Sequence, residues 1–211
     1  MVKSLSDLIL ERKSVKSYYK KSVSDEFIGE LIDAARWAPS AGNMQDWRFI
    51  IVRSEKVKEK IAEACLNQDW MREAPVFIAI CSDFQFLETM YPKLYSLFSV
   101  QDCALATANI LLKATELGLG SCVVAPFNRE KVREVLGVPD NADVYSIVIL
   151  GYAREIEPSH RHNIQDLVFF EKWGQMDNQS VKRLKDVEVE IEKKIKNIKE
   201  KMLSKLPLKK K

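Results

Sequence analysis

The chain has 211 residues, 46% of them hydrophobic and 30% charged, enough for one well-filled core without disulfides or metals. A net charge of +3, with lysines gathered at the end, is too small to argue for a nucleic-acid partner. There is no apolar run long enough to span a bilayer, and the first residues lack the apolar stretch of a signal peptide, so no membrane partner is expected and the expected location is cytoplasmic.

Leu5, Leu8 and Ile9 have helical spacing, with Ser4 as a candidate N-cap and Asp7 three residues on. Arg12-Lys13-Ser14-Val15-Lys16 follows. Three cations and a hydroxyl in five residues suit a phosphate or an electron-rich carbonyl, and equally suit a solvated helix end. Ser24 caps a second pattern, lined by Phe27, Ile28, Leu31, Ile32 and Ala35, which stops near Pro39. The loop Ala38-Pro-Ser-Ala-Gly-Asn-Met-Gln-Asp-Trp-Arg-Phe49 then joins helix to strand. Ser40, Asn43 and Gln45 offer donors and acceptors, and Trp47 a flat apolar face, so this is either a capped turn or a holder for a planar, polar-edged ligand.

Residues 48–52 read as a strand, and Ser54 as the cap of a helix carrying Val57, Ile61 and Ala64. Residues 75–81 form a continuous apolar run, the pattern of a strand buried on both faces. Residues 91–98 are apolar and aromatic, suiting core or dimer packing as well as a substrate cover. Residues 100–117 form a helix apolar almost all round, which places it in the middle of the domain, with Gly118 beyond its end. Gly118-Leu-Gly-Ser-Cys122 lets backbone approach a ligand closely, but it is no dinucleotide fingerprint. Val123-Val124 suggests a short strand, Asn128 caps a helix that Gly137 stops, and residues 144–150 form another buried strand. This alternation predicts an α/β or α+β sheet between helices.

After Gly174, apolar residues from Val181 to Met202 repeat every three or four positions with a strongly charged outer face, predicting a long amphipathic helix and then a frayed Lys-rich tail at 205–211. Its stripe must pack on this domain or on another subunit. Cys65, Cys81, Cys103 and Cys122 each sit among apolar residues without metal-ligand spacing, and Arg161 between His160 and His162 disfavours a cation, so no metal is expected. Hydrolytic signatures such as G-x-S-x-G and H-E-x-x-H are absent. A chain with so few candidate acids and bases either binds without chemistry or borrows chemistry from a cofactor.

Taken together, the segments resemble the nitroreductase family of FMN-dependent oxidoreductases. Arg12-x-Ser14-x-Lys16 is similar to the family's first flavin-binding motif, and Pro39-Ser40-x-x-Asn43-x-Gln45 with Trp47 to its second. Ala74-Pro75, Glu116-Leu-Gly-Leu-Gly-Ser121, and Arg161 ahead of Asp166-Leu-Val168 follow in the family's order over roughly residues 5–174. The resemblance implies an α+β fold with a central mixed, mainly antiparallel sheet flanked by helices. Residues 1–174 would be the FMN-binding domain, and 175–211 a C-terminal extension helix and tail. It implies a homodimer with FMN at the interface, and no catalytic side chain, because flavin N5 does the chemistry. NADH or NADPH would reduce FMN by hydride transfer and leave, and a small planar acceptor of nitroaromatic or quinone type would then take the electrons, a ping-pong cycle. A flavin-binding sensor or carrier without turnover, and a dehalogenating or flavin-fragmenting relative, remain alternatives.

Residue by residue, the resemblance gives Arg12 and Arg161 to the phosphate, with Lys13 alongside, and Ser14 and Lys16 to the ribityl chain or pyrimidine edge. Asn67 would contact that edge. Gly120, Ser121, Val124 and Ala125 would run past N5, the Ala125 N–H facing it. Pro39, Ser40, Ala41, Asn43 and Gln45 would come from the partner subunit. The chain departs from the family with Lys16 where Arg is frequent, Asp46 where Pro is frequent, and Pro126, which removes a backbone donor beside the N5 wall.

Overall fold

The computed structural model describes residues 3–157 and 159–203. They fall into two compact units, one holding Arg12–Glu157, the other Ser4–Glu11 with the described residues after 158. The helices are α1 (Leu5–Glu11), α2 (Asp25–Arg36), α3 (Glu55–Ala64), α4 (Gln85–Met90), α5 (Tyr95–Glu116), α6 (Arg129–Leu136) and α7 (Asn178–Leu203). The strands are β1 (Trp47–Val52), β2 (Val76–Asp83), β3 (Gly120–Val124) and β4 (Ala142–Gly151).

In the first unit the strands form one sheet in the order β1-β2-β4-β3, every neighbour antiparallel. A single parallel bridge, Ser14 to Ser121, adds the N-terminal segment beside β3. Side chains alternate across the sheet, as period 2 requires. Val76, Ile78, Ile80, Val148 and Leu150 pack with Leu31 of α2 and Cys103, Ala106 and Ile110 of α5. Phe77, Ala79, Ile147 and Ile149 pack with Ile61 of α3 and Val132 of α6. Because helices cover both faces, β2 is buried from Val76 to Ser82, which is why its sequence does not alternate.

The caps follow the sequence closely. The Ser24 hydroxyl accepts from Phe27 N and the Asn128 side-chain Oδ1 from Lys131 N, and α6 stops at Gly137. Ser54 differs: its carbonyl starts α3, accepting from Val57 N and Lys58 N, while its hydroxyl makes no capping bond. The internal helix also differs from expectation. α5 begins at Tyr95 and is not central, since Leu97, Val100 and Leu105 are exposed. A helix lying on one face of a sheet buries only the stripe that meets strands and neighbours.

In the second unit, Ser4 and Asp7 cap α1 reciprocally, the Asp7 N–H donating to Ser4 Oγ and the Ser4 N–H to Asp7 Oδ2, both at 3.2 Å. α1 packs against α7. Val181, Leu184, Glu188, Ile191 and Ile195 are the half-buried line of α7, and Glu188 Oε1 accepts from Ile164 N at 2.9 Å. The Lys-rich tail from 205 lies outside the described residues.

Ile147, fully buried at the centre of β4, tests this layering. Replacing it with Ala is expected to lower unfolding free energy by about 2–5 kcal/mol, read from a urea midpoint at unchanged slope.

Candidate functional site

Residues 12–17 run extended along the outer side of β3. Val15 N–H donates to Ser121 O at 2.9 Å, and the buried Tyr18 hydroxyl donates to Val15 O at 2.5 Å. Val15 points inward and is buried, so Ser14 and Lys16, one position either side, face solvent. The glycine at 120 serves this packing: a Cβ there would sit 3.0 Å from both Val15 Cβ and Ala153 Cβ. The close approach expected of Gly120 is thus made by the chain's own N-terminal segment.

Three of the expected phosphate- and flavin-binding residues converge here. Burial raises the Cys122 thiol pKa, and the Lys16 charge, a hydrogen bond with Ser14 and the Arg12 charge draw it back down. Lys16 Nζ also lies 5.9 Å from the Trp70 ring centroid, within cation–π range. Trp70 belongs to a loop that carries Asn67 in a left-handed conformation, its Oδ1 accepting from Arg72 Nη2 at 2.7 Å. Lys13 is half-buried, Ser121 and Val124 are buried, and Ala125 is exposed. Arg161 belongs to the other unit, where its Nη1 donates to the His160 carbonyl at 2.7 Å.

The second motif folds at the opposite edge. A 3-10 turn at Ala41–Asn43 is held by Asp102 of α5, whose carboxylate oxygens lie 3.1 and 3.0 Å from Ala41 N. Ser40 Oγ accepts from Gln45 N at 3.0 Å, and Gln45 Nε2 donates to Asn43 Oδ1 at 3.3 Å. This is a self-capped turn, one of the two readings the sequence offers, and it also walls a cavity of about 570 Å³. Pro39, Ser40, Ala41 and Gly42 form one side; Tyr91, Phe98, Gln101, Asp102, Ala104 and Leu105 form the other. Tyr91 and Phe98 meet edge to face at 5.1 Å between centroids. Thus the aromatic segment at 91–98 does line the cavity beside the motif.

Since the first motif lies outside β3 and the second at the β1 edge, with β4 and β2 between, the two motifs stand four strand spacings, roughly 19 Å, apart across the sheet. Within one chain, Arg12, Ser14, Lys16, Gly120 and Ser121 come together, and Pro39, Ser40, Ala41, Asn43 and Gln45 do not join them. Sequence reading missed Trp70 and Asp102. An acid on an otherwise apolar helix face was the available signal for Asp102, whereas Trp70 reads as an ordinary core residue.

Gly42 has φ of 55°, and a Cβ there would lie 2.9 Å from the Tyr91 hydroxyl. Gly42→Ala is therefore expected to destabilise by roughly 1–2 kcal/mol and to displace Tyr91, measurable as a lower urea midpoint with altered tyrosine fluorescence.

Comparison with known proteins bears on these motifs. The nitroreductase family model matches residues 9–68 and 65–152, so Arg161 and α7 lie beyond it. A protein of Archaeoglobus fulgidus named as a candidate NADH dehydrogenase/NAD(P)H nitroreductase is 39% identical over 174 residues, covering 79% of this chain and 97% of the relative. An FMN reductase (NAD(P)H) of Bacillus subtilis is 28% identical, covering 72% and 65%. Among solved structures, the NADPH:FMN oxidoreductase of Vibrio harveyi complexed with NAD+ has a TM-score of 0.75 at 21% identity, covering 89% of this chain and 86% of that one, a likeness of fold.

Proposed function

The chain belongs to the nitroreductase family, and from that premise we propose that it is an FMN-dependent NAD(P)H oxidoreductase working as a homodimer. The observation that carries the reading is the placing of Arg12, Ser14 and Lys16 on the segment bridged to Ser121 of β3, with Lys16 by the Trp70 ring. That donor set fits a flavin mononucleotide: guanidinium binds phosphate bidentately, and an ammonium beside a hydroxyl suits an electron-rich pyrimidine edge. When bound, FMN takes electrons from NADH or NADPH and passes them to a second small molecule.

In this reading Arg12 holds the phosphate, with Lys13 beside it, and Arg161 is given to the phosphate by the family resemblance alone. Lys16 stabilises negative charge on the pyrimidine edge. Ser14 and Asn67 hydrogen-bond that edge, and Gly120, Ser121, Val124 and Ala125 form the wall along the ring. Ala125 supplies a backbone donor, which Pro126 lacks. Pro39, Ser40, Ala41, Asn43 and Gln45 of a second copy complete the site. Their separation across the sheet, roughly four strand spacings or 19 Å, supports this, because one chain does not bring both motifs to one ring system. Tyr91 and Phe98, over the same loop, offer faces on which a planar acceptor of nitroaromatic or quinone type stacks.

Residues 1–174 make the flavin-binding part, and the helix within 175–211 braces the pair of subunits. No described helix is long and apolar enough to cross a membrane, and the four cysteines are free and buried. A cytoplasmic setting, where thiols stay reduced, belongs to the same proposal.

The purified protein is expected to be yellow, or to turn yellow with added FMN, and to bleach anaerobically with NADH or NADPH. Steady NAD(P)H consumption with a nitroaromatic or quinone, in a parallel-line pattern of initial rates, is expected for ping-pong turnover. A protein that stays colourless with FMN contradicts the proposal, and one that binds FMN without turnover reduces it to a carrier. Arg12→Ala and Arg161→Ala are each expected to weaken FMN binding by on the order of 1.5–3 kcal/mol, measured by fluorescence titration. Truncation after Gly174 should yield monomers in light scattering; an unchanged dimer refutes the brace.

A further inference from the structure

Two carboxyl groups beneath the 39–45 loop have no part in the redox reading. Asp46 and Asp102 are each only 3% exposed. Asp46 Oδ2 accepts from the Ser82 hydroxyl, which lies 3.0 Å from Ser99 Oγ. Asp46 Oδ1 is buried and has no donor among the described residues. The neighbouring carboxyl, Asp102, turns both oxygens toward a single donor, the Ala41 N–H. The two carboxyl groups are within hydrogen-bonding reach of each other.

The surroundings offer no cation to offset the pair. Among the described residues neither acid makes an ion pair; Arg48 is taken by Asp83, and Arg129 by Asp143. The titratable groups facing the pair are Cys103 on α5 and, through Ser99, Tyr145 on β4. Burial holds each of these neutral by raising its pKa. One acceptor therefore lacks a hydrogen, and the adjacent acid has an oxygen to spare. Two buried, unpaired carboxylates in contact are strongly unfavourable, and one proton resolves both problems.

We infer that Asp102 and Asp46 share one proton, Asp102 donating to Asp46 Oδ1, and that this proton latches the 39–45 loop onto α5. The second oxygen of Asp102 then accepts from Ala41 N–H, so loop, helix and strand meet at one acid pair. Loss of the proton sets two buried carboxylates against each other directly under the turn. Burial first, and the hydrogen bond and charge of Asp46 with it, hold the Asp102 carboxyl up from 3.8 to about 6, against the pull of the Ala41 N–H. A folded-state pKa raised in this way means the stabilisation is fully present below the ordinary value and is lost as pH rises through about 6. Resting on the FMN reading above, the same loop is lent to the second copy's flavin, so both acids are positioning residues and flavin retention weakens over the same range.

The test separates the latch from the flavin. Infrared difference spectra of the flavin-free protein are expected to show a protonated carboxyl band that titrates near pH 6 and is missing from Asp102→Asn and from Asp46→Asn. Its melting temperature should fall as pH rises through that range. Asp102→Asn mimics the protonated pair, its NH2 donating to Asp46 while its carbonyl keeps Ala41, and should remove that part of the slope. FMN titration should show a several-fold loss of affinity across the range in wild type and none in Asp102→Asn. Absence of the carboxyl band in wild type, or a wild-type melting slope in Asp102→Asn, overturns the latch. A band and slope without any FMN binding leave the latch standing and overturn the flavin reading instead. Should either variant fail to fold, the wild-type spectrum alone decides.

Discussion

The two middle strands have no face that water can share, and that constraint arranges everything else. β2 and β4 are apolar on both sides, so each must be flanked by a strand and covered by helices above and below. β1 and β3 are left as the edges, with backbone groups still free to pair. At the β3 edge the chain covers itself with residues 12–17, which hang on the Val15–Ser121 bond and on the contact that Gly120 permits. At the β1 edge it places a self-capped turn pinned from α5 by Asp102. Each edge carries one of the two polar motifs, and the width of the sheet keeps them apart.

That separation turns a question of chemistry into one of assembly. Cations fixed on a strand edge are precise binding groups, because their neighbours on the opposite face are locked in the core. Lys16 is such a case, held between buried Val15 and the Trp70 ring. The turn at the other edge is equally well held, and its cavity is bordered by exposed apolar residues of α5. A helix that buries one stripe against its own sheet and leaves Leu97, Val100 and Leu105 outside has the composition of a core residue set with half the core missing.

Much of this arrangement is legible in the sequence, and where it is not there are physical reasons. Caps at Ser4, Ser24 and Asn128 were legible because each acts through its own neighbours three residues on. The continuous apolar run of β2 gave away its burial. The position of α5 did not follow from composition, because an all-round apolar helix is buried either by its own chain or by another, and sequence pattern does not distinguish the two. The convergence of Arg12, Ser14 and Lys16 on Cys122 depends on a parallel bridge between segments about a hundred residues apart, which no local periodicity encodes. Family motifs supplied that pairing and marked Asp46 as a departure, yet they were silent on Asp102, which lies outside them.

Three of the four thiols have a practical meaning beyond their packing. Burial pushes Cys65 and Cys81 up to about 12 and Cys103 higher still, so almost none is thiolate near neutrality, and thiolate is the species that reacts. Alkylating reagents and mild peroxide will find little to attack while the chain stays closed. Each modification event then reports a transient opening of the interior, which makes the native cysteines built-in clocks for the breathing of the two core layers.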